Sequence, residues 1–259
     1  MTTTSKNPQK RSPLKERPLR YAGQSVNERI EDRFTDALEC WVIAWLLIIL
    51  AGLEWWRSYR QDTFHPFLYT FIAVVGFIFC GWKSWKIFKE IKLLKLGRDG
   101  ELIVAEFLEP LSKSGYSVLH DVVGGNFNVD HVLIGPTGVF VIETKTRSKS
   151  GGAEETVQFD GTNIFIHGKA ADPNPLIQAK ANARWIRELL KTSTSKDFPV
   201  FPVVLFPGWY VEQKVKQNDA LVLNPKNLES FLKNRSVVLP ASDASMAAFH
   251  LKQFIRSKK

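Results

Sequence analysis

No internal repeat, no GxGxxG and no phosphate-loop motif occurs in this chain. A solenoid, a dinucleotide fingerprint and a Walker-type nucleotide site are therefore without support in the sequence. His120 and His167 fall at predicted strand ends without metal-ligand spacing, and no Ser-His-Asp arrangement can be assembled from the chain. Cysteine is scarce: Cys40 and Cys80 are the whole complement. Both lie in apolar runs, at what the charge pattern below makes the cytoplasmic end of a helix pair, where disulfides are rare. They read as small apolar side chains, with palmitoylation the alternative. At 259 residues the chain accommodates one substantial domain with extra segments rather than two independent large ones.

Charge is missing where it matters most. CWVIAWLLIILAGL, 40 to 53, is fourteen residues without a charge, and FHPFLYTFIAVVGFIFCGW, 64 to 82, is nineteen without an acidic or formally basic side chain. A membrane span takes roughly 20 apolar residues, with about 17 as the lower limit. The second run qualifies alone, and the first when Leu38 and Trp55 are included. Trp41, Trp55, Trp56, Tyr59, Trp82 and Trp85 cluster at the ends of the runs, where amphipathic rings favour the headgroup level. The first run begins some forty residues in, and no small-residue cleavage site follows it, which disfavours a signal peptide. A buried helical hairpin in a soluble protein is the competing reading.

The charges that are present orient this hairpin. Residues 1 to 20 and residues 83 to 98 each hold six Lys/Arg against one acidic residue, whereas 54 to 63 balances two against two. Positive flanks remain cytoplasmic, so both termini are expected there, with about ten residues on the far side. Residues 99 to 259 carry nineteen basic and seventeen acidic groups. The net charge of +9 thus belongs mainly to the membrane flanks, and anionic lipid headgroups account for it better than nucleic acid does.

The N-terminal tail, 1 to 20, is polar, basic and proline-containing and reads as disordered, with a short helix over 24 to 36 leading into spans at about 38–56 and 64–82. WKIFKEIKLLKLG, with Trp85, Phe88, Ile91 and Leu94 among lysines, predicts a basic amphipathic linker helix over 83–96. A soluble domain, 97–259, follows. It opens on a helix ended by Gly115, then a strand at 116–122, two strands joined by GPTG and a hairpin turning at Asp160 and Gly161. A helix over 174–191 has Leu176, Ile177, Trp185, Ile186, Leu189 and Leu190 as its apolar set. Strands at 198–207 and 220–224 and helices near 225–234 and 242–257 complete the pattern.

Within NVDHVLIGPTGVFVIETK, 128 to 145, three charges interrupt an apolar pattern. Alternation puts Val139, Val141, Glu143 and Lys145 on one face of the third strand, and Asp130, Val132 and Ile134 share a face of the second. A turn over Gly135 to Gly138 places Ile134 opposite Val139 and Asp130 opposite Glu143. Like charges at facing positions, with Cβ atoms about 5 Å apart, are destabilising. A divalent cation is the simplest compensation, and Lys145 on the same face partly neutralises the pair. A structural ion pair at a sheet edge is the alternative for any isolated E-x-K. His131 points to the other face and reads as a packed or capping histidine. TRSKSGG, 146 to 152, offers Arg147 and Lys149 to phosphate, or is a solvated loop.

GRDGE (97 to 101), VDHVLIGPTGVFVIETK (129 to 145) and NPLIQAKANARWI (174 to 186) resemble the nuclease-related domain, NERD, a branch of the PD-(D/E)XK restriction-endonuclease-like superfamily, over about 97–195. The resemblance implies an α/β fold, a restriction-endonuclease-like core of helix, mixed β-sheet and crossing helix, here preceded by a transmembrane helical hairpin. It implies that Asp130 and Glu143 bind Mg²⁺ or Mn²⁺ with the Thr144 carbonyl completing the protein ligands. Lys145 would orient or deprotonate the attacking water and stabilise charge on the phosphate, while Glu101 and Gln178 match the helical acidic and polar residues of the family. The implied activity is metal-dependent hydrolysis of nucleic acid, DNA rather than RNA, at a bacterial inner membrane, with a homodimer as the assembly the superfamily suggests. A non-catalytic module that binds nucleic acid or protein at the membrane is the alternative, and a membrane adaptor with a structural ion a third.

Overall fold

The computed structural model describes residues 19–60, 66–147, 156–215 and 220–257. The expectations for residues 1–18, for the far end of the hairpin connection at 61–65 and for Lys149 lie outside them. Two long helices come first, α1 (Gln24–Tyr59) and α2 (Pro66–Leu108). Both are long and apolar enough to cross a membrane. They meet through small and aliphatic residues at helical spacing, Ala37, Cys40, Ala44 and Ala51 against Ala73, Cys80, Ser84, Ile87 and Ile91, which lets the backbones approach closely. Trp41 Nε1 donates to Ser84 Oγ at 2.9 Å and Trp55 Nε1 to Thr70 Oγ1 at 2.9 Å. The rest of the apolar surface points outward, as it does at Ile49, Phe71 and Ile78. Cys40 and Cys80 meet across the pair as a disulfide, which corrects the expectation of two unbonded small side chains.

Several segments that the sequence separates are continuous. The short helix expected over 24 to 36 is the start of α1 itself. Likewise α2 runs without a break through the second apolar run, the lysine-rich stretch and GRDGE. It stops at Leu108, not Gly115, because Pro110 lacks an amide hydrogen and disfavours helical geometry at Glu109. A 3-10 turn over Glu109–Ser114 follows, and Gly115, at φ 84°, ends that turn.

Beyond it lie β1 (Ser117–Val123), β2 (Asn128–Gly135), β3 (Gly138–Thr144), β4 (Thr156–Phe159), β5 (Ile164–Ile166), β6 (Lys169–Ala170), α3 (Pro175–Thr194), β7 (Val200–Leu205), β8 (Tyr210–Gln213), β9 (Leu221–Leu223), α4 (Pro225–Lys233) and α5 (Ala241–Ser257). The main sheet has the order β1-β2-β3-β7-β9. Its first three strands are antiparallel, and β3, β7 and β9 are parallel. This is the mixed sheet of a restriction-endonuclease-like core, with α3 connecting the two halves. Leu119, Val132, Val139 and Val141 pack under α3 and α5 on one face. Leu133, Phe140 and Ile142 pack under the end of α2 and α4 on the other. Alternation along β3 therefore buries both faces, as a central strand requires.

A second sheet, β6-β5-β4-β8, packs against the main one through Val157, Phe159, Phe206 and Trp209. The β4–β5 hairpin is the one expected at Asp160, whose Oδ1 accepts from the amides of Thr162 and Asn163. Its partner β8 has no expected counterpart, because Tyr210–Gln213 is too short and too exposed to show a pattern. In α3, Asn174 caps the N-terminus by accepting from the Leu176 amide. The buried stripe is Leu176, Ala179, Ala183, Ile186 and Leu190. Ile177, expected in the apolar set, is 70% exposed, since it lies about 100° around the helix from Leu176.

Candidate active site

The β2–β3 turn sets the register on which the site depends. Gly135 pairs with Gly138, Ile134 with Val139 and His131 with Ile142. Gly138, at φ 125°, closes the turn in a conformation that favours glycine. Asp130 and Glu143 follow at the end of the ladder. There the Asp130 Oδ2 accepts from the Thr144 amide at 2.7 Å, so the carboxylate caps the strand that carries its neighbour. Both side chains are buried.

Lys145 lies just beyond β3, held by a bond from its amide to the Leu205 carbonyl at 2.9 Å. Its Nζ donates to Glu143 Oε1 at 2.7 Å and to Gln178 Oε1 at 3.1 Å. Gln178 reaches it from α3, one turn before Asn182, whose Nδ2 donates to Glu143 Oε2 at 3.3 Å. Glu101 comes from α2, and Gly100 makes its approach possible. A Cβ on Gly100 would stand 2.0 Å from Thr146 Oγ1, so only glycine lets the helix come this close to the end of β3. The structure thus brings Glu101, Asp130, Glu143, Thr144, Lys145 and Gln178 together from two strands and two helices.

Electrostatically the centre is over-supplied with negative charge. Burial raises the Asp130 carboxyl well above its usual range, and the nearby Glu143 and Glu101 push it further. Glu143 is also raised by burial, against the pull of Lys145. Burial, then repulsion from Asp121 and Glu143, lifts Glu101 to about 7. Among the described residues the Glu101 Oε2 is buried without a hydrogen-bond partner. Crowded carboxylates with an orphaned oxygen suit a hard divalent cation. The donors are all oxygen, and Asp130, Glu143 and the Thr144 carbonyl are the residues that would hold it. Among the described residues, no three His, Cys, Asp or Glu side chains are already gathered as a ligand cluster.

His131 lies on the opposite sheet face, fully buried, with its Nδ1 2.8 Å from Nδ1 of His120. Burial holds its imidazole well below the usual range, as expected of a packed neutral histidine. Arg147 is exposed just past the site.

Two residues of the site have no counterpart in the sequence reasoning. Asn182 is one; its spacing of four from Gln178 was the available signal. The other is Asp121, fully buried on β1 with φ 51°. Pairings of His120 with His131 and Val122 with Val129 bracket it, which puts it across from Asp130.

Residues 96–207 match the family model of the nuclease-related domain, NERD, and this span holds every site residue named above. An uncharacterized protein of Bacillus anthracis is 32% identical over 101 residues, covering 37% of this chain and 47% of that protein. The chain thus spans about half the length of that curated relative. No solved structure matches.

Proposed function

We propose that the nuclease-related domain at residues 96–207 is a metal-dependent nuclease, held by the α1–α2 hairpin at the cytoplasmic face of a membrane and acting on DNA rather than RNA. The observation that carries this reading is the convergence of Asp130, Glu143 and Lys145 at one sheet end. Lys145 there is linked to both Glu143 and Gln178. A lone ion pair at a sheet edge would need neither the buried Asp130 nor the orphaned Glu101 oxygen.

Mg²⁺ or Mn²⁺ bound by Asp130, Glu143 and the Thr144 carbonyl would supply an activated water and neutralise charge on the phosphate. The side chains of the chain itself then divide the remaining work. Lys145, aimed by Gln178, presents a positive amino group to the scissile phosphate and stabilises the negative charge that develops there. Asn182 and Lys145 between them hold the two oxygens of Glu143. Glu101 brings a third carboxyl to the site from α2, lifted to about 7 while no cation balances it. The lysines of α2 at 83, 86, 89, 92 and 95 face anionic headgroups. Two of them stack on tryptophans, Lys86 on Trp82 at 3.6 Å and Lys89 on Trp85 at 3.7 Å.

A second reading, a non-catalytic module that binds nucleic acid or protein, draws support from the near balance of charge over 99–259, because tight phosphate binding relies on basic excess. The full chain in detergent, incubated with linear and circular DNA and RNA in Mg²⁺, Mn²⁺ or EDTA, separates the two. Metal-dependent cleavage that Glu143→Ala and Lys145→Ala both reduce at least a hundredfold is the expected result. Nucleic-acid binding without cleavage, unchanged in Glu143→Ala, would establish the second reading instead.

A further inference from the structure

The chain enters α1 through residues 19 to 23, and these lie against the nuclease domain, outside the matched span. Asp121 is where they attach. Its Oδ2 accepts from Arg20 Nε at 2.6 Å and from the Ser25 amide at 3.0 Å, and its Oδ1 from Ser25 Oγ at 2.6 Å and Asn128 Nδ2 at 2.9 Å. Four donors on one fully buried carboxylate are more than a surface contact requires. They also answer a problem set by the register, since an extended Asp121 would add its charge beside Asp130. The left-handed backbone at Asp121 breaks the strand alternation, so that Leu119 and Val122 both reach the same core and the carboxylate turns toward α1.

The docked segment then touches the site itself. The Gly23 amide lies toward the Glu101 carboxylate and favours its charged form. Gly23 is left-handed at φ 72°, and a Cβ there would stand 2.8 Å from Arg98 Cγ. Arg98 in turn donates to Asn27 Oδ1 at 3.2 Å, tying the start of α1 to the GRDGE turn of α2.

We propose that residues 20 to 25 complete the active site: Asp121 is a positioning residue that docks this segment through Arg20 and Ser25, so that the Gly23 amide aims the Glu101 carboxylate at the cation position beside Asp130 and Glu143. Glu101 is a long side chain with an orphaned oxygen and repelling neighbours. Without a fixed donor it would spread over its rotamers, and metal affinity would fall. Outer contacts of this kind typically contribute about 10- to 100-fold to metal affinity. The proposal rests on the metal-dependent reading of the site, and its test reads metal binding separately from cleavage.

The full chain in lipid nanodiscs is titrated with Mn²⁺ as wild type, Arg20→Gln, Arg20→Lys, Glu101→Gln and the double variant Arg20→Gln/Glu101→Gln, with cleavage assayed in parallel. Arg20→Gln is expected to weaken Mn²⁺ binding about tenfold, Arg20→Lys to recover most of it, and Arg20→Gln to cost nothing further once Glu101 is Gln. If Arg20→Gln does not fold, Ser25→Ala, which keeps the backbone bond to Asp121, should show a smaller loss with the same dependence on Glu101. A loss of equal size in both backgrounds would make the contact merely structural and overturn the proposal, as would affinity within twofold of wild type. Mn²⁺ binding with the Glu101-dependent loss but no cleavage supports the positioning role and sinks the nuclease reading. Failure of the wild type to bind Mn²⁺ sinks both.

Discussion

Glu101, Asp130 and Glu143 each have a carboxyl raised by burial, and that direction sets how the metal-free chain responds to pH. For Glu101 the folded state binds its proton up to about 7, while an unperturbed glutamate carboxyl releases it at 4.5. The folded state therefore holds more protons across this window, and stability falls as pH rises through it. The loss for Glu101 is on the order of 3 kcal/mol, with Asp130 and Glu143 adding in the same direction. In EDTA the chain should unfold at lower temperature at pH 8 than at pH 5, and Mg²⁺ should reverse most of the difference. A thermal scan showing higher stability at pH 8 without metal would contradict the raised carboxyls. Asn182→Ala should lower kcat/KM by about tenfold while leaving the fold intact, because it removes one neutral donor from Glu143. Of the site, the facing pair Asp130 and Glu143 was legible because a four-residue turn and period-two alternation suffice to place them. Asp121 was not, since its role depends on a left-handed residue in mid-strand and on partners 96 and 101 positions away.

Strand elements were legible where turn residues and alternation agree, as in β2, β3 and the β4–β5 hairpin. The limits of α1 and α2 were not, although α3, α4 and α5 fall close to their expected ranges. Gly97 divides the linker helix from the domain in the sequence, and it and Gly100 each cost about 1 kcal/mol in a helix. Yet α2 runs through both. Packing outweighs propensity here: Gly100 is required by the Thr146 side chain, and Val104 and Leu108 on the same helix are fully buried beneath the sheet. Gly100→Ala should therefore destabilise the domain by about 1 to 3 kcal/mol despite the better helix propensity of alanine. It should also reduce cleavage by displacing Glu101. Adding Thr146→Ala, which removes the oxygen 2.0 Å from the new Cβ, should recover part of the thermal stability. Stabilisation by Gly100→Ala alone would mean that the helix does not press on the end of β3.

At the scale of the molecule, the hairpin and the nuclease-related domain are joined twice. One joint is α2, which runs from the apolar span to Glu101 as a single helix. From Trp82 to Glu101 that helix is about 28 Å long at 1.5 Å per residue, so the site stands beyond the apolar run at the end of a stiff stalk. Arg33 Nε, at 3.1 Å from Glu90 Oε1, braces the stalk across the two helices. The second joint is the docking of Arg20 and Ser25 on Asp121. A two-point attachment means that the nuclease-related domain is not separable at the family boundary. A chain beginning at residue 95 would leave Asp121 with Asn128 as the survivor of its four bonds. Stripping the partner from a buried charge costs roughly 3 to 5 kcal/mol. Such a fragment should unfold well below the full chain in the same detergent, and Asp121→Asn should restore part of the gap, because the amide no longer carries an unpaired charge. If the fragment melts with the full chain and binds Mn²⁺ equally well, the first joint alone holds the domain and the segment before α1 is a passive lead into that helix.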